Sequence, residues 1–226
     1  MRMSPIPALA IAVAGFVMTA GCVNRAVDGT PGAAAQPTAG ASAPASAATG
    51  AAVVWPAPSD PLERTVSAGL KPGPKEYKVN HVHAHLDVFI DGAAVVVPAG
   101  IGIEIDDPAV RTFNDPDGSV SYGGIELCNE PCISPLHTHD TSGIIHTESA
   151  TSTPNTLGEF FIEWGVALSD SCVAEFCSSK AIAFYVNGVP YVGDPNTIEL
   201  TDQKEIAVVI GTPPPKIPST ADFSNA

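Results

Sequence analysis

Residues 81–92 read HVHAHLDVFIDG, and the first eight of these positions alternate between polar and apolar side chains. Because successive side chains of a strand point to opposite faces, Val82, Leu86 and Val88 share one face of such a strand. The three histidines of this stretch share the other face with Asp87. The stretch therefore predicts a β-strand with one face directed towards a core and the other carrying imidazoles.

The neighbouring segments are also predicted to form hairpins. Asp91-Gly92 and Asn187-Gly188 are two-residue turn signals that join runs with strand character. A third hairpin is predicted around the turn at residues 140–143. Its strands and two further ones are expected at residues 133–139, 144–149, 197–201 and 205–210. The fold class is therefore mostly β: an antiparallel β-sandwich or barrel-like domain built from hairpins, with one or two short helices.

Two segments have the signals of helices. Thr156 and Glu159 form a capping box, and the large apolar residues that follow are spaced to cover one helix face, ending at Gly165. A shorter helix is predicted to start at Asp60-Pro61 and to end at Gly69. We expect the helix after Thr156 to pack its apolar stripe against the sheet.

The two ends of the chain differ from this central domain of residues 59–212. Residues 1–21 have the basic start and apolar run of a secretory signal peptide, and the small residues before Cys22 resemble the bacterial lipobox. Residues 22–58 begin with this lipidated cysteine and continue as an Ala/Pro/Ser-rich tether, and residues 213–226 are predicted to be a disordered tail. We therefore expect an exported protein that is anchored at the outer face of the cytoplasmic membrane by acyl chains such as palmitate.

The charge balance excludes one class of partner. The 226 residues include 24 acidic and 10 basic side chains, which gives a formal net charge of −14. Nucleic-acid binding needs clustered Lys and Arg to neutralise phosphates, so this composition argues against it. The negative charge instead favours the attraction of cations.

The histidines are the candidate functional residues. All six lie between His81 and His146, in two groups. If the turn at residues 140–143 closes as a two-residue loop, His137 lies opposite His146 and His139 points to the same face. Neutral imidazole is a common ligand of Zn²⁺ and Cu²⁺, and strands hold ligands rigidly. The predicted metal ligands are His83, His85, His137, His139 and His146.

Carboxylates near these histidines could add ligands or accept hydrogen bonds from the rings. The candidates are Asp87, Asp140 and Glu148. The three methionines all lie within the predicted signal peptide, which excludes a methionine-rich Cu⁺ carrier. A blue-copper site, which needs a thiolate ligand and usually an axial Met, is also disfavoured. The cofactor is therefore expected to be a divalent metal ion, Zn²⁺ or Cu²⁺.

Four cysteines remain after Cys22, and an even number in an exported domain predicts two disulfides. The candidates are Cys128, Cys132, Cys172 and Cys177. Three pairings are possible, and the sequence does not choose among them. An alternative is that Cys128 and Cys132 ligate a metal beside His137.

Five motifs carry a resemblance to a known family. In chain order they are HVHAHLDVFIDG, VPAGIGI, LHTHDTSGIIHTES, TLGEFFIEWG and YVNGVPY. Together they resemble a family of exported or membrane-anchored bacterial and archaeal proteins with a His-rich domain and no assigned activity. The resemblance covers about residues 60–212. It implies that this domain recurs as a unit, and it implies no substrate or catalytic residue.

Three functions are consistent with these patterns. The first is a cell-envelope lipoprotein whose β domain binds Zn²⁺ or Cu²⁺ through the clustered histidines. The second is a metal-dependent envelope enzyme, hydrolytic or redox, in which Glu148 or Asp140 acts as a base. The third is an envelope interaction domain without a metal, in which the histidines form a polar or pH-sensitive surface. We favour the first, because no nucleophile motif or nucleotide-binding loop is present.

Overall fold

The computed structural model describes residues 54–224. The predicted signal peptide of residues 1–21, the lipidation site at Cys22 and nearly all of the tether lie outside the described residues. Within this part of the chain, strands and turns dominate over helices.

The described elements follow one another in a simple order along the chain. The two α-helices are Pro61–Ser67 (α1) and Leu157–Trp164 (α2). The first strands are Asn80–Ile90 (β1), Ala93–Val95 (β2), Arg111–Asn114 (β3), Val120–Gly123 (β4), Leu136–His137 (β5) and Ile144–Ser149 (β6). The last strands are Ile182–Val186 (β7), Val189–Tyr191 (β8) and Lys204–Ile210 (β9).

Seven strands form one sheet in the order β5-β6-β1-β9-β7-β8, with β2 paired to the far end of β1. Strands β3 and β4 form a separate two-stranded sheet. The prediction of a mostly β fold is confirmed, and most strand pairs are antiparallel. The large sheet is nevertheless open and does not close into a barrel, and β1 pairs with β9 in parallel. Hairpin signals report only pairings between neighbours in the chain, so they could not indicate this long-range pair.

The sheet has one apolar and one polar face around β1. Leu86 and Val88 lie beside Ile206 and Val208 of β9 in the core, together with apolar residues of α2. The histidines of β1 lie on the opposite face, as the alternation predicts. The core face fixes the register, because a slip by one residue would expose the apolar side chains.

Helix α2 begins and ends with the predicted signals. The Thr156 hydroxyl accepts a hydrogen bond from the Glu159 amide at 3.3 Å, and the Glu159 carboxylate accepts one from the Thr156 amide at 2.8 Å. Gly165 ends the helix with a φ of 77°, in the left-handed region that glycine adopts without strain. Its apolar stripe packs in the main core as expected.

Two local predictions need correction. Asp60 precedes α1 but caps none of its amides; its carboxylate instead accepts a hydrogen bond from Arg64 at 3.3 Å. The strand expected at residues 197–201 is absent, and the chain there forms a short 3₁₀ helix at Pro195–Thr197 followed by a single bridge between Glu199 and Thr156. The Asp194-Pro195 pair favours this turn, since Asp194 caps it.

Both predicted disulfides form, and each joins cysteines that are close in sequence. Cys128 pairs with Cys132 and Cys172 pairs with Cys177. The sulfur atoms of Cys128 and Cys132 are therefore not free to bind a metal beside His137. Disulfides persist in oxidising compartments, which indicates a location outside the cytosol. Neither helix within residues 54–224 has the length and apolar character needed to cross a membrane.

The described ends of the chain lie against the domain. Trp55, from the last part of the predicted tether, stacks edge-on against Trp164 with ring centroids 5.7 Å apart, and its carbonyl accepts a hydrogen bond from the Trp164 indole. After β9 the chain continues without helix or strand as far as Ser224. Phe223 there lies edge-on to His85, with ring centroids 6.5 Å apart.

Candidate metal centre

Four metal-ligating side chains meet on the polar face of the large sheet. The residues of this histidine cluster are His137, His139, His146 and Glu148. One ligand atom from each lies within 4.8 Å of those of the others. Strand pairing explains the arrangement, because His137 lies directly opposite His146 in the β5–β6 pair, as the predicted turn requires. Glu148 follows on the same face of β6.

His139 reaches the cluster by a different route from the one predicted. The strand expected over residues 133–139 is shorter and covers only Leu136–His137. His139 lies beyond its end and contacts the small sheet of β3 and β4 through Tyr122. The Tyr122 amide donates a hydrogen bond to the His139 carbonyl at 2.9 Å. The His139 ring is bound to the same residue, since its Nδ1 lies 2.6 Å from the Tyr122 carbonyl oxygen.

The hydrogen bonds of the rings fix their tautomers. A carbonyl oxygen only accepts, so Nδ1 of His139 carries a proton and donates it to Tyr122. In the same way, Nδ1 of His137 donates to the Ser134 carbonyl at 2.9 Å. In both neutral rings the proton is therefore on Nδ1, and the lone pair of Nε2 is free.

These two unprotonated nitrogens lie a short distance apart. Nε2 of His137 and Nε2 of His139 lie 3.2 Å apart. With both protons on Nδ1, no hydrogen remains to bridge the two nitrogens, and the contact is repulsive unless a cation or an extra proton lies between them. A tetrahedral Zn²⁺ with Zn–N bonds of about 2.0–2.1 Å separates its ligand nitrogens by about 3.3 Å. The observed separation matches one edge of that tetrahedron.

The environment disfavours the extra proton. His137 is fully buried, and burial, followed by the nearby imidazoles of His139 and His146, lowers its pKa well below the ordinary value. Burial and the His146 ring also lower the pKa of His139. Both rings are therefore neutral at pH 7, which is the form that binds a metal.

His146 and Glu148 complete the cluster with atoms that lack partners. Nδ1 of His146 and Oε2 of Glu148 are buried without a hydrogen bond among the described residues. Oε1 of Glu148 lies 3.9 Å from Nδ1 of His146. Burial raises the pKa of Glu148, but the surrounding imidazoles outweigh it and hold the pKa below its usual value. Unpartnered buried polar atoms are costly, and a coordinated ion would satisfy them.

The first histidine group divides between two places. His81 and His83 lie beside the histidine cluster, because His81 is opposite Glu148 and His83 is opposite His146 in the β1–β6 pair. The ring centroids of His83 and His146 are 4.6 Å apart. Burial and the imidazoles of His146 and His81 lower the pKa of His83 to about 4.

His85 belongs to a separate group, although the sequence predicted it to join the others. Its Nδ1 lies 2.8 Å from Oε2 of Glu205, and its Nε2 donates to the Ser142 carbonyl at 2.8 Å. Burial lowers its pKa, but hydrogen bonding to Glu205 and that residue's charge outweigh this and raise it. Asp87 is the third member of this group. Because both ring nitrogens are engaged, we expect His85 to have a structural role here.

Several residues of the site were missed by reasoning from sequence. Glu76, in the loop before β1, places Oε1 3.8 Å from Nε2 of His139. Burial and repulsion from Glu148 raise its pKa to about 7. The Ser134 and Tyr122 carbonyls orient two rings, and no side-chain pattern could indicate them. Asp140 does not join the cluster; its carboxylate accepts a hydrogen bond from the Ser142 amide in the turn.

Two cavities among residues 54–224 lie away from the histidine cluster. One of about 500 Å³ is lined by Tyr77 and Pro135, and another of about 670 Å³ is lined by Trp55 and Trp164. Neither has a histidine in its wall.

Comparisons with known protein families, with characterised proteins and with solved structures found no match.

Proposed function

We propose that the protein is a cell-envelope lipoprotein whose β domain binds a divalent transition metal, Zn²⁺ or Cu²⁺, through His137, His139, His146 and Glu148. One observation carries the proposal. The Nε2 atoms of His137 and His139, both without a proton, face each other at 3.2 Å. A metal ion between them turns a repulsive contact into two coordinate bonds.

The orientation of the rings supports the same function. In metal sites the ligating histidine usually donates its second ring N–H to a carbonyl or carboxylate, which fixes the ring. His137 and His139 make this type of contact with Ser134 and Tyr122. The rings are thus held with Nε2 pointing into the cluster, and they need no reorganisation on binding.

The donor set indicates the class of metal. Three imidazoles and one carboxylate suit Zn²⁺ or Cu²⁺, whereas Ca²⁺ and Mg²⁺ prefer oxygen ligands. If all four residues coordinate, a tetrahedral ion has no open position, which favours binding over catalysis.

Export and lipid anchoring are the second part of the proposal. They rest on the apolar N-terminus, on Cys22 after small residues and on the two disulfides. The five motifs that resemble an exported family support the same location. In this arrangement the tether holds the metal-binding domain away from the membrane surface.

Metal analysis of the full chain tests the proposed function. The protein is purified without a polyhistidine tag and without reductant, and its metal content is measured by elemental mass spectrometry before and after titration with Zn²⁺ and Cu²⁺. We expect stoichiometric metal, and we expect its loss from the histidine cluster in His139→Gln, whose ring is partly accessible and therefore replaceable without a large cavity. Purified protein that has no metal and takes up none on titration contradicts the proposal.

A further inference from the structure

A second group of ligands touches the histidine cluster. His81 and His83 lie on the same face of β1 and form a potential metal-binding group together with Glu148. Glu148 therefore belongs to both groups. The β1–β6 pairing creates this overlap, because His81 lies opposite Glu148 while His83 lies opposite His146.

Glu148 lies between the two groups. Its Oε1 is 3.2 Å from Nε2 of His81 and 3.9 Å from Nδ1 of His146. Its Oε2 is buried and lacks a hydrogen-bond partner among the described residues. A carboxylate with two oxygens and ligands on either side can bind one ion through each oxygen, as bridging carboxylates do in two-metal sites.

His83 lies beside both groups of ligands. Its ring centroid is 4.9 Å from that of His81 and 4.6 Å from that of His146. A single tetrahedral ion has room for only four ligands. The histidine cluster already supplies four without His81 or His83.

Negative charge at the same place favours a second cation. Besides Glu148, Glu76 places its Oε1 3.8 Å from Nε2 of His139. These two carboxylates can offset half of the charge of two divalent ions, while the five neutral imidazoles nearby supply ligand nitrogens. The net charge of −14 adds a favourable long-range field.

We propose that His81, His83 and Glu148 form a second site for a divalent transition metal, and that Glu148 bridges it to the ion held by His137, His139 and His146. This inference rests on the proposed function of the first site. The second site is the more open one, since the His81 side chain is 36% exposed and His137 is fully buried. The two ions therefore bind in order, the buried one more tightly.

Stoichiometry tests the inference. The full chain is titrated with Zn²⁺, and bound metal is counted after equilibrium dialysis, for the native chain and for a variant with both His81→Gln and His83→Gln. We expect two ions per native chain and one per variant chain. His85→Gln is the matched control from the same strand face and should keep two ions, because both nitrogens of its ring are already hydrogen-bonded.

The possible outcomes separate the two proposals. One ion per native chain, or two ions retained by the double variant, overturns the second site and leaves the first intact. No ion in the native chain overturns both. A spectroscopic measurement adds a direct test of the bridge: two Cu²⁺ ions that share Glu148 should couple magnetically and lose electron paramagnetic resonance intensity on addition of the second equivalent. Two independent Cu²⁺ signals would contradict the shared ligand.

Discussion

The hydroxyl of Ser134 donates a hydrogen bond to Oε1 of Glu163, which joins helix α2 to the segment that carries the first ligand. The carbonyl of the same serine accepts the hydrogen bond from His137 that orients its ring. Glu163 is fully buried, and its Oε2 has no partner among the described residues. A helix whose other buried residues are mostly apolar thus supports the metal centre through one buried acid.

The buried acid predicts how stability depends on pH. Burial raises the pKa of Glu163 from 4.5 to about 8, so the folded state keeps a proton that the unfolded state has already lost. The stability associated with this proton is fully present below pH 4.5 and is lost as the pH rises through 8. Relative to the native chain, Glu163→Gln should therefore gain stability with rising pH, by at most about 5 kcal/mol at about 1.4 kcal/mol per pKa unit.

Urea unfolding between pH 5 and 9 in the presence of EDTA measures this difference. Ser67→Ala, which alters an exposed side chain on α1, serves as a control and should follow the native pH dependence. Parallel stability curves for Glu163→Gln and the native chain would show that Glu163 keeps an ordinary pKa.

Gly102 is predicted to be essential for the loop that packs against the metal centre. It has a φ of +71°, and a Cβ placed on it would lie 2.4 Å from the Leu136 carbonyl oxygen. Gly118 has a similar φ of +88°, but a Cβ there meets nothing within 4 Å. Gly118→Ala should therefore cost only the backbone strain, about 1 kcal/mol, while Gly102→Ala should cost at least about 2 kcal/mol more.

Comparison of the two alanine variants by denaturant unfolding isolates the steric contribution. Gly102→Ala should also weaken metal binding, because Leu136 precedes His137 and the carbonyl must move away. Equal stability losses in the two variants would mean that the contact with Leu136 relaxes freely.

The sequence predicted the centre of the site better than its surroundings. The turn at residues 140–143 fixed the pairing of His137 with His146, because a short loop determines the register of its hairpin. Alternation along β1 correctly placed its histidines on one face. Neither pattern could separate His83 from His85, because their separation depends on β9, a strand more than a hundred residues away, which brings Glu205 beside His85.

The backbone carbonyls that orient the histidine rings, and the burial of Glu163, could not be predicted from the sequence for a physical reason. The carbonyls of Ser134 and Tyr122 orient rings irrespective of their own side chains, so no residue type signals them. Glu163 looks like a solvent-facing position in a helical pattern, and only the packing of α1 and the residue 102 loop around it makes it buried. The parallel contact between β1 and β9 is likewise a product of the tertiary fold.

His85→Gln is predicted to reduce stability without removing metal from the histidine cluster. The ring bonds Glu205 and the Ser142 carbonyl, and Glu205 is fully buried. Removing one partner leaves a buried carboxyl group without its hydrogen bond, which costs on the order of 3 kcal/mol. Unfolding in EDTA measures the loss, and metal analysis of the same protein checks the retention. Loss of metal with unchanged stability would assign His85 to the ligands instead.

Proton release should accompany metal binding and depend on Glu76. Its pKa of about 7 leaves it protonated in about half of the metal-free molecules at pH 7. A cation beside His139 lowers that pKa, so about half a proton leaves on binding, while the neutral rings of His137 and His139 release little. Calorimetric titration with Zn²⁺ in two buffers of different ionisation enthalpy measures this number. Glu76→Gln should lower this number, and an unchanged value would place the proton elsewhere.

Metal binding should also raise the melting temperature of the domain. A ligand that binds only the folded state at one hundred times its dissociation constant adds about 2.7 kcal/mol, and for a domain of this size each kcal/mol shifts the midpoint by about 2–4 °C. Zn²⁺ in moderate excess should therefore raise the midpoint by about 5–10 °C, and EDTA should reverse the shift. Mg²⁺, which prefers oxygen ligands, should have no comparable effect.

In His139→Gln most of the rise in melting temperature caused by Zn²⁺ should be lost, because the pair of Nε2 ligands from His137 and His139 is gone. A full Zn²⁺ shift in that variant would mean that the ion binds without this pair and that the 3.2 Å contact has another cause.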